Sequence, residues 1–171
     1  MADLEERVAR LEERLDIAES VLAIQALKAQ YAFWVDQRHA GHKGQQPAVD
    51  VAEIADKIAG LFTEDAVWDG GPALGVLRGR KEIRERLAKP SVQWAWHFFL
   101  KPRISVCGDH AEGVWDLFSP CTLGDGSRRW MVGVETDSYE RVGGAWRHSS
   151  MHLETVMLAS FEKGWPVGEN V

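Results

Sequence analysis

The stretch ISVCGDHAEGVWDLFSPCTLGDGSRRWMVGVETDSYERVGGAWRHSSMHLETVMLASF, residues 104–161, decides the fold. Gly108-Asp109, Gly124-Asp125-Gly126 and Gly143-Gly144 divide it into segments in which apolar and polar residues alternate. Short turn signals between such segments predict hairpins. Working outward, the strand runs are Val92–Cys107, Ala111–Thr122, Arg128–Arg141 and Ala145–Phe161. Strands joined by hairpins pair antiparallel, so one antiparallel sheet is expected.

Upstream of residue 90 the apolar period changes from two to about three and a half. Leu4, Val8, Leu11, Leu15, Ala18 and Leu22 form a heptad seam, and the stripe then drifts to Ile24, Leu27, Tyr31 and Val35. This predicts one long helix whose start packs on another subunit and whose end packs on its own core. His39-Ala40-Gly41-His42-Lys43-Gly44-Gln45-Gln46-Pro47 reads as a loop, with His39 and His42 on the surface. A second helix starts at Asp50, with Glu53 placed for a capping box, and runs through Ile54, Ile58 and Leu61-Phe62. Ala66-Val67-Trp68 is a short strand, and Asp69-Gly70-Gly71-Pro72 a turn. A third helix, Arg80 to Lys89, stops at Pro90. Helices first and strands afterwards predict an α+β fold with a sheet curled over the helices. Residues 1–21 form a helical extension, and 22–171 one domain.

The 171 residues suffice for a single core without metal or disulfide staples. A net charge of −6 lacks the basic footprint of a nucleic-acid partner. No apolar run approaches the roughly 20 residues of a membrane span, and the charged N-terminus does not read as a secretory signal. Cys107 and Cys121 have no metal-site spacing and read as reduced thiols in a cytoplasmic protein. The 8 Trp are unusual, and tryptophan often lines pockets as well as cores.

Strict alternation in the last strand puts Trp146, His148, Ser150, His152 and Glu154 on one face. In a dry core those polar groups would be costly, so the face meets solvent or a cavity. His97 interrupts the most apolar stretch, Trp94-Ala95-Trp96-His97-Phe98-Phe99-Leu100. Asp36 follows Tyr31-Ala32-Phe33-Trp34-Val35 at the apolar end of the long helix. A neutral imidazole is a competent base near pH 7, and a carboxylate on its other nitrogen fixes the tautomer. Asp36 and His97 form that pair if the sheet curls over the helix end. Tyr31, protonated at pH 7, then donates to a departing oxygen or a developing oxyanion. The competing readings are a core imidazole bonded to a carbonyl and an exposed helix-end carboxylate. A further alternative is a metal ion shared by His97 with His152 and Glu154, the last two about 6.6 Å apart along a strand.

Several segments together resemble the SnoaL-like branch of the NTF2-like superfamily. Ile24-Gln25-Ala26-Leu27-Lys28 with Tyr31 and Asp36 resembles its first helix. Residues 61–71, LFTEDAVWDGG, resemble its helix-to-strand segment, and Gly79-Arg80-Lys81-Glu82-Ile83-Arg84 its third helix. Tyr139-Glu140-Arg141 with Gly144-Ala145-Trp146-Arg147 resembles its last hairpin. The resemblance implies a cone of curved antiparallel sheet around helices, with one deep apolar pocket. Members include bile-acid 7α-dehydratase, hexachlorocyclohexane dehydrochlorinase, scytalone dehydratase and diarylpropane deformylating lyases, which use no cofactor. By that resemblance Asp36 and His97 are the catalytic dyad and Tyr31 its assistant. Ser119 falls where the dehydratase carries an extra acid, and the late-strand arginine of some members is missing. His152, or Arg78 from the short strand, is the candidate for that polar role. Trp34, Trp68, Trp96, Trp115 and Trp130, with Glu154, complete the expected substrate-binding set. The expectation is a cofactor-free lyase for a small hydrophobic, aromatic or polycyclic substrate, assembled as a trimer or dimer, with no nucleic-acid or membrane partner. A non-catalytic binding or assembly module is the alternative.

Overall fold

The computed structural model describes residues 2–39 and 50–164. Its elements in chain order are α1 (Ala2–Gln37), α2 (Val51–Ala59), β1 (Phe62–Asp69), α3 (Gly71–Leu74), β2 (Val76–Arg78), α4 (Gly79–Leu87), β3 (Val92–Ala95), β4 (Phe98–Cys107), β5 (His110–Leu123), β6 (Arg128–Val142) and β7 (Ala145–Ser160). The segment containing His42 lies outside the described residues. Among the described residues no helix is long and apolar enough to cross a membrane.

The drift of the apolar stripe along α1 appears directly in its burial. Leu4, Val8, Leu11, Leu15 and Leu22 are exposed, whereas Ile24, Leu27, Tyr31 and Val35 are buried. Only the second half of α1 lies in the concavity of the sheet. Asp50 caps α2, its carboxylate accepting from the Ala52 N–H at 2.8 Å. Glu53 does not close a capping box but pairs with Lys57 one turn on, at 2.8 Å. Ile54, Ile58, Phe62 and Ile83 are fully buried between α2, α4 and the sheet, each contributing about 1.5–3 kcal/mol.

The helix expected to continue to Phe62 ends at Ala59, because the sheet captures the backbone there. Arg147 donates to the Gly60 carbonyl, and the His148 N–H donates to the Leu61 carbonyl at 2.9 Å. Phe62 therefore opens β1, four residues earlier than the apolar run suggested. The sheet order is β2-β1-β7-β6-β5-β3, with β4 also paired to β5. The hairpin-joined strands pair antiparallel as expected, while β1 joins β7 in parallel, which makes the sheet mixed.

Two irregularities position the functional side chains. The expected strand Val92–Cys107 breaks at Trp96-His97 into β3 and β4. There the His97 N–H leaves the ladder and donates to the Asp36 carboxylate at 3.1 and 3.3 Å. The second is a bulge in β7. Tyr139 pairs with His148, but Ser138 pairs with Ser150, so Ser149 is the extra residue. A bulge shifts the alternation by one. Trp146 and His148 face inward before it, Met151 and Leu153 after it. His152 and Glu154 accordingly turn outward and are exposed, which corrects the strict alternation that grouped them with His148.

Candidate active site

The end of α1, the C-terminal ends of β5 and β7, β3 and the inner face of β6 enclose a mostly apolar cavity of about 210 Å³. Val35, Leu87, Ala95, Leu117, Met131 and Leu153 supply much of the apolar wall. Tyr31, His97, Ser119 and Glu135 interrupt it with polar groups.

His97 and Asp36 lie 61 residues apart and meet, with Nδ1 of His97 2.7 Å from Oδ1 of Asp36. Asp36 is 8% exposed, and it also holds the His97 backbone N–H. One carboxylate thus fixes ring and backbone together, which makes Nδ1 the protonated nitrogen and leaves Nε2 as the acceptor. Phe99 stacks on the imidazole at 6.3 Å between centroids.

Tyr31 is buried on the same wall. Its oxygen accepts from the Trp68 indole N–H at 3.3 Å, so its own proton is free to point at a ligand. Burial first, and then the facing Glu135, push the Tyr31 phenol well above its ordinary range. It therefore remains a donor throughout neutral pH. Trp68 reaches Tyr31 because Gly70 has no side chain: a Cβ there would sit 2.5 Å from the indole ring. Ser119 is fully buried on the cavity wall, and its hydroxyl has no hydrogen-bond partner among the described residues.

The other expected substrate contacts lie elsewhere. Trp115 points inward from β5 but sits deeper in the core, donating to the Tyr139 hydroxyl at 3.0 Å. Trp34 leans toward α2, with the Lys57 ammonium 4.5 Å from its ring. Trp130 faces the outer side of the sheet, against Phe118 and Phe161. Trp96 is half-buried beside His97 and is not part of the cavity wall. Arg78 is exposed, its backbone N–H donating to Glu82 at 2.8 Å. His152 pairs with Asp69 on the outside at 2.9 Å. His97 faces inward while His152 and Glu154 face outward, so the three cannot share an ion.

Further buried polar residues surround the cavity. His39, expected on the surface, is 3% exposed and lines the cavity. Burial, and then the Arg38 guanidinium, push it down to about 4, so it is neutral at pH 7. Deeper still lies a cluster of charges. The buried Lys28 ammonium contacts Glu135 and, at 2.7 Å, Asp137. Tyr139 donates to the same Asp137 oxygen at 2.7 Å. Burial pulls Lys28 down, but the two carboxyl groups more than reverse this and keep it charged.

His148 completes this layer, packed between the rings of Phe62, Tyr31 and Tyr139, and neither nitrogen has a hydrogen-bond partner among the described residues. Burial, and then the Lys28 charge, hold it well below its ordinary 6.5. The fold keeps it neutral, while the unfolded chain protonates it below about pH 6.5. Stability should therefore fall as pH drops through that value, by about 1.4 kcal/mol per pH unit for this group. His148→Phe should flatten that limb in urea titrations between pH 7 and 5. An unchanged slope would assign the acid sensitivity to other groups.

The chain belongs to the SnoaL-like family: the profile of the SnoaL-like domain matches residues 16–152. No curated protein matches the sequence. Solved structures share the NTF2-like cone. A hexachlorocyclohexane dehydrochlorinase, LinA type 2, is 20% identical with a TM-score of 0.69, over 84% of this chain and 90% of that one. The type 3 enzyme from Novosphingobium barchaimii LL02 is 20% identical with a TM-score of 0.72, over 91% and 99%. A Mycobacterium tuberculosis protein of unknown function is 23% identical with a TM-score of 0.65, over 85% and 75%. At such identities the likeness establishes the fold.

Proposed function

We propose that this chain is a cofactor-independent lyase, acting on a small hydrophobic, aromatic or polycyclic substrate by dehydration, a related elimination or deformylation. The observation that carries the reading is the 2.7 Å contact between Asp36 and His97 on the wall of an apolar cavity. His97 Nε2 removes a proton from carbon, and Asp36 holds the ring and stabilises the imidazolium that forms. Tyr31 donates to the oxygen on which charge develops. Trp68 and Ser119 complete the substrate contacts among the residues expected from sequence. The fold shared with a dehydrochlorinase agrees with an elimination. The exposed row Leu4, Val8, Leu11 and Leu15 on α1 supports assembly as a homo-oligomer, trimer or dimer.

The test offers purified protein, in D₂O and with no added metal or coenzyme, a panel of aryl β-hydroxy ketones, arylacetaldehydes and chlorinated cyclohexanes. Elimination, or exchange of the carbon-bound proton for deuterium, is expected with at least one class. His97→Ala should lower that rate by about 10²–10⁴-fold. If wild type and His97→Ala cannot be told apart across the panel, the elimination reading is wrong.

A further inference from the structure

An elimination needs a base for the C–H proton and, when the leaving group is a poor one, an acid to protonate it. Among the described residues Glu135 is the one carboxylic side chain on the cavity wall, and it is 5% exposed. Its Oε2 contacts Lys28, while Oε1 makes no hydrogen bond among the described residues. Behind it, Asp137 accepts from Lys28 and from Tyr139, and its second oxygen is buried without a hydrogen-bond partner among the described residues. His148 stands 3.8 Å from Asp137 and is neutral. Tyr31 and Tyr139 are phenols held neutral by burial above all.

The charge count is informative. Two carboxylates and one ammonium, if all were ionised, would leave one uncompensated negative charge in a layer where Lys28, Asp137 and His148 are 0% exposed. An unpaired buried charge is expensive, and a single bound proton removes it. Asp137 is held by two donors and Glu135 by one, so Glu135 is the better site for that proton. Burial raises the Glu135 carboxyl above its ordinary value, Lys28 offsetting only part of the rise.

We propose that Glu135 is stored as a carboxylic acid and is the catalytic acid that protonates the leaving oxygen in the cavity that His97 also lines. This rests on the elimination reading above and narrows it to substrates that expel an oxygen leaving group. His97 Nε2 takes the proton from carbon, and the C–H electron pair becomes the new C=C bond. The C–O bond breaks, its pair stays on oxygen, and that oxygen takes the Glu135 proton and departs as water or an alcohol. Imidazolium and carboxylate remain, and transfer of the proton from His97 to Glu135 restores both. Chloride departs as an anion and has no use for such an acid. Tyr31 donates a hydrogen bond to the same oxygen while keeping its proton.

Infrared spectroscopy tests the stored proton without a substrate. Wild type at pH 7 should show the C=O stretch of a protonated carboxyl, shifted in D₂O, and His97→Ala should keep it. Glu135→Gln, nearly isosteric with the neutral acid, should lose it. Asp137→Asn should lose it too, because Lys28 then has a single carboxylate to neutralise. With a hydroxyl-bearing substrate from the panel, Glu135→Gln should lower kcat by about 10²-fold or more. With the same skeleton carrying an acetate leaving group, the loss should be several-fold smaller. A band that survives Glu135→Gln, or a kcat unchanged for the hydroxyl substrate, overturns the proposal. In that case loss of activity in His97→Ala would still leave the elimination reading standing.

Discussion

Replacing Lys28 with methionine should cost roughly 3–5 kcal/mol, the usual penalty for deleting one partner of a buried charged cluster. The size follows from what remains. Glu135 and Asp137 would keep their burial and lose their shared ammonium, with Phe99 and Trp115 now facing two acids across an apolar gap. The direction of the pH dependence is a sharper test than the magnitude. Buried acids without a cation have raised folded-state pKa values, so the stability they retain is present at low pH and lost as pH rises. The two acids of Lys28→Met should therefore add stability between pH 8 and 5, against the loss through the buried histidines that the variant shares with wild type. Wild type should lose it below about pH 6.5 through His148. The triple variant Lys28→Met, Glu135→Gln, Asp137→Asn removes every charge of the cluster and should recover most of the loss. Urea midpoints across that pH range decide the matter. A Lys28→Met protein within about 1 kcal/mol of wild type would mean that the cluster is neutralised in another way.

That cluster also shows where the sequence is readable and where it is not. Lys28 stands on the same face of α1 as Ile24 and Tyr31, and Glu135 and Asp137 share the inward face of β6 with Gly133 and Tyr139. A lysine on an apolar helix face and two acids on an apolar strand face are each visible as anomalies. What joins them is a register set across more than a hundred residues, and no local pattern carries it. The Asp36–His97 pair was legible because each residue breaks an apolar run at an element end and the family resemblance aligns both. Strict alternation fails in the last strand at its bulge, where one extra residue, Ser149, turns His152 and Glu154 to the outside. Trp115 and Trp130 show the limit of composition: tryptophan fills cores and outer faces as readily as pockets, and its surroundings are fixed only by packing.

Asp36→Asn should lower kcat by about 10²-fold or more while leaving KM within a few-fold, and the geometry says why. At present Oδ1 accepts both from Nδ1 of His97 at 2.7 Å and from its backbone N–H at 3.1 Å. An asparagine oxygen in that position keeps both contacts and the ring orientation. Its amide nitrogen then replaces Oδ2, which now lies 3.3 Å from the same backbone N–H, so two donors face each other. The ring remains roughly in place while the negative charge that stabilises the imidazolium disappears. Asp36→Ala removes charge and both acceptors, frees the ring and leaves the His97 N–H unpaired, so it should be slower still and less stable. Rates and thermal midpoints of both variants separate charge from position. If Asp36→Asn retains half the wild-type kcat while Asp36→Ala does not, the carboxylate acts by holding the imidazole in place. If Asp36→Asn already loses about 10²-fold at a midpoint near wild type, while Asp36→Ala is slower still with a lowered midpoint, the charge carries the catalysis, as the buried and doubly bonded setting of Asp36 implies.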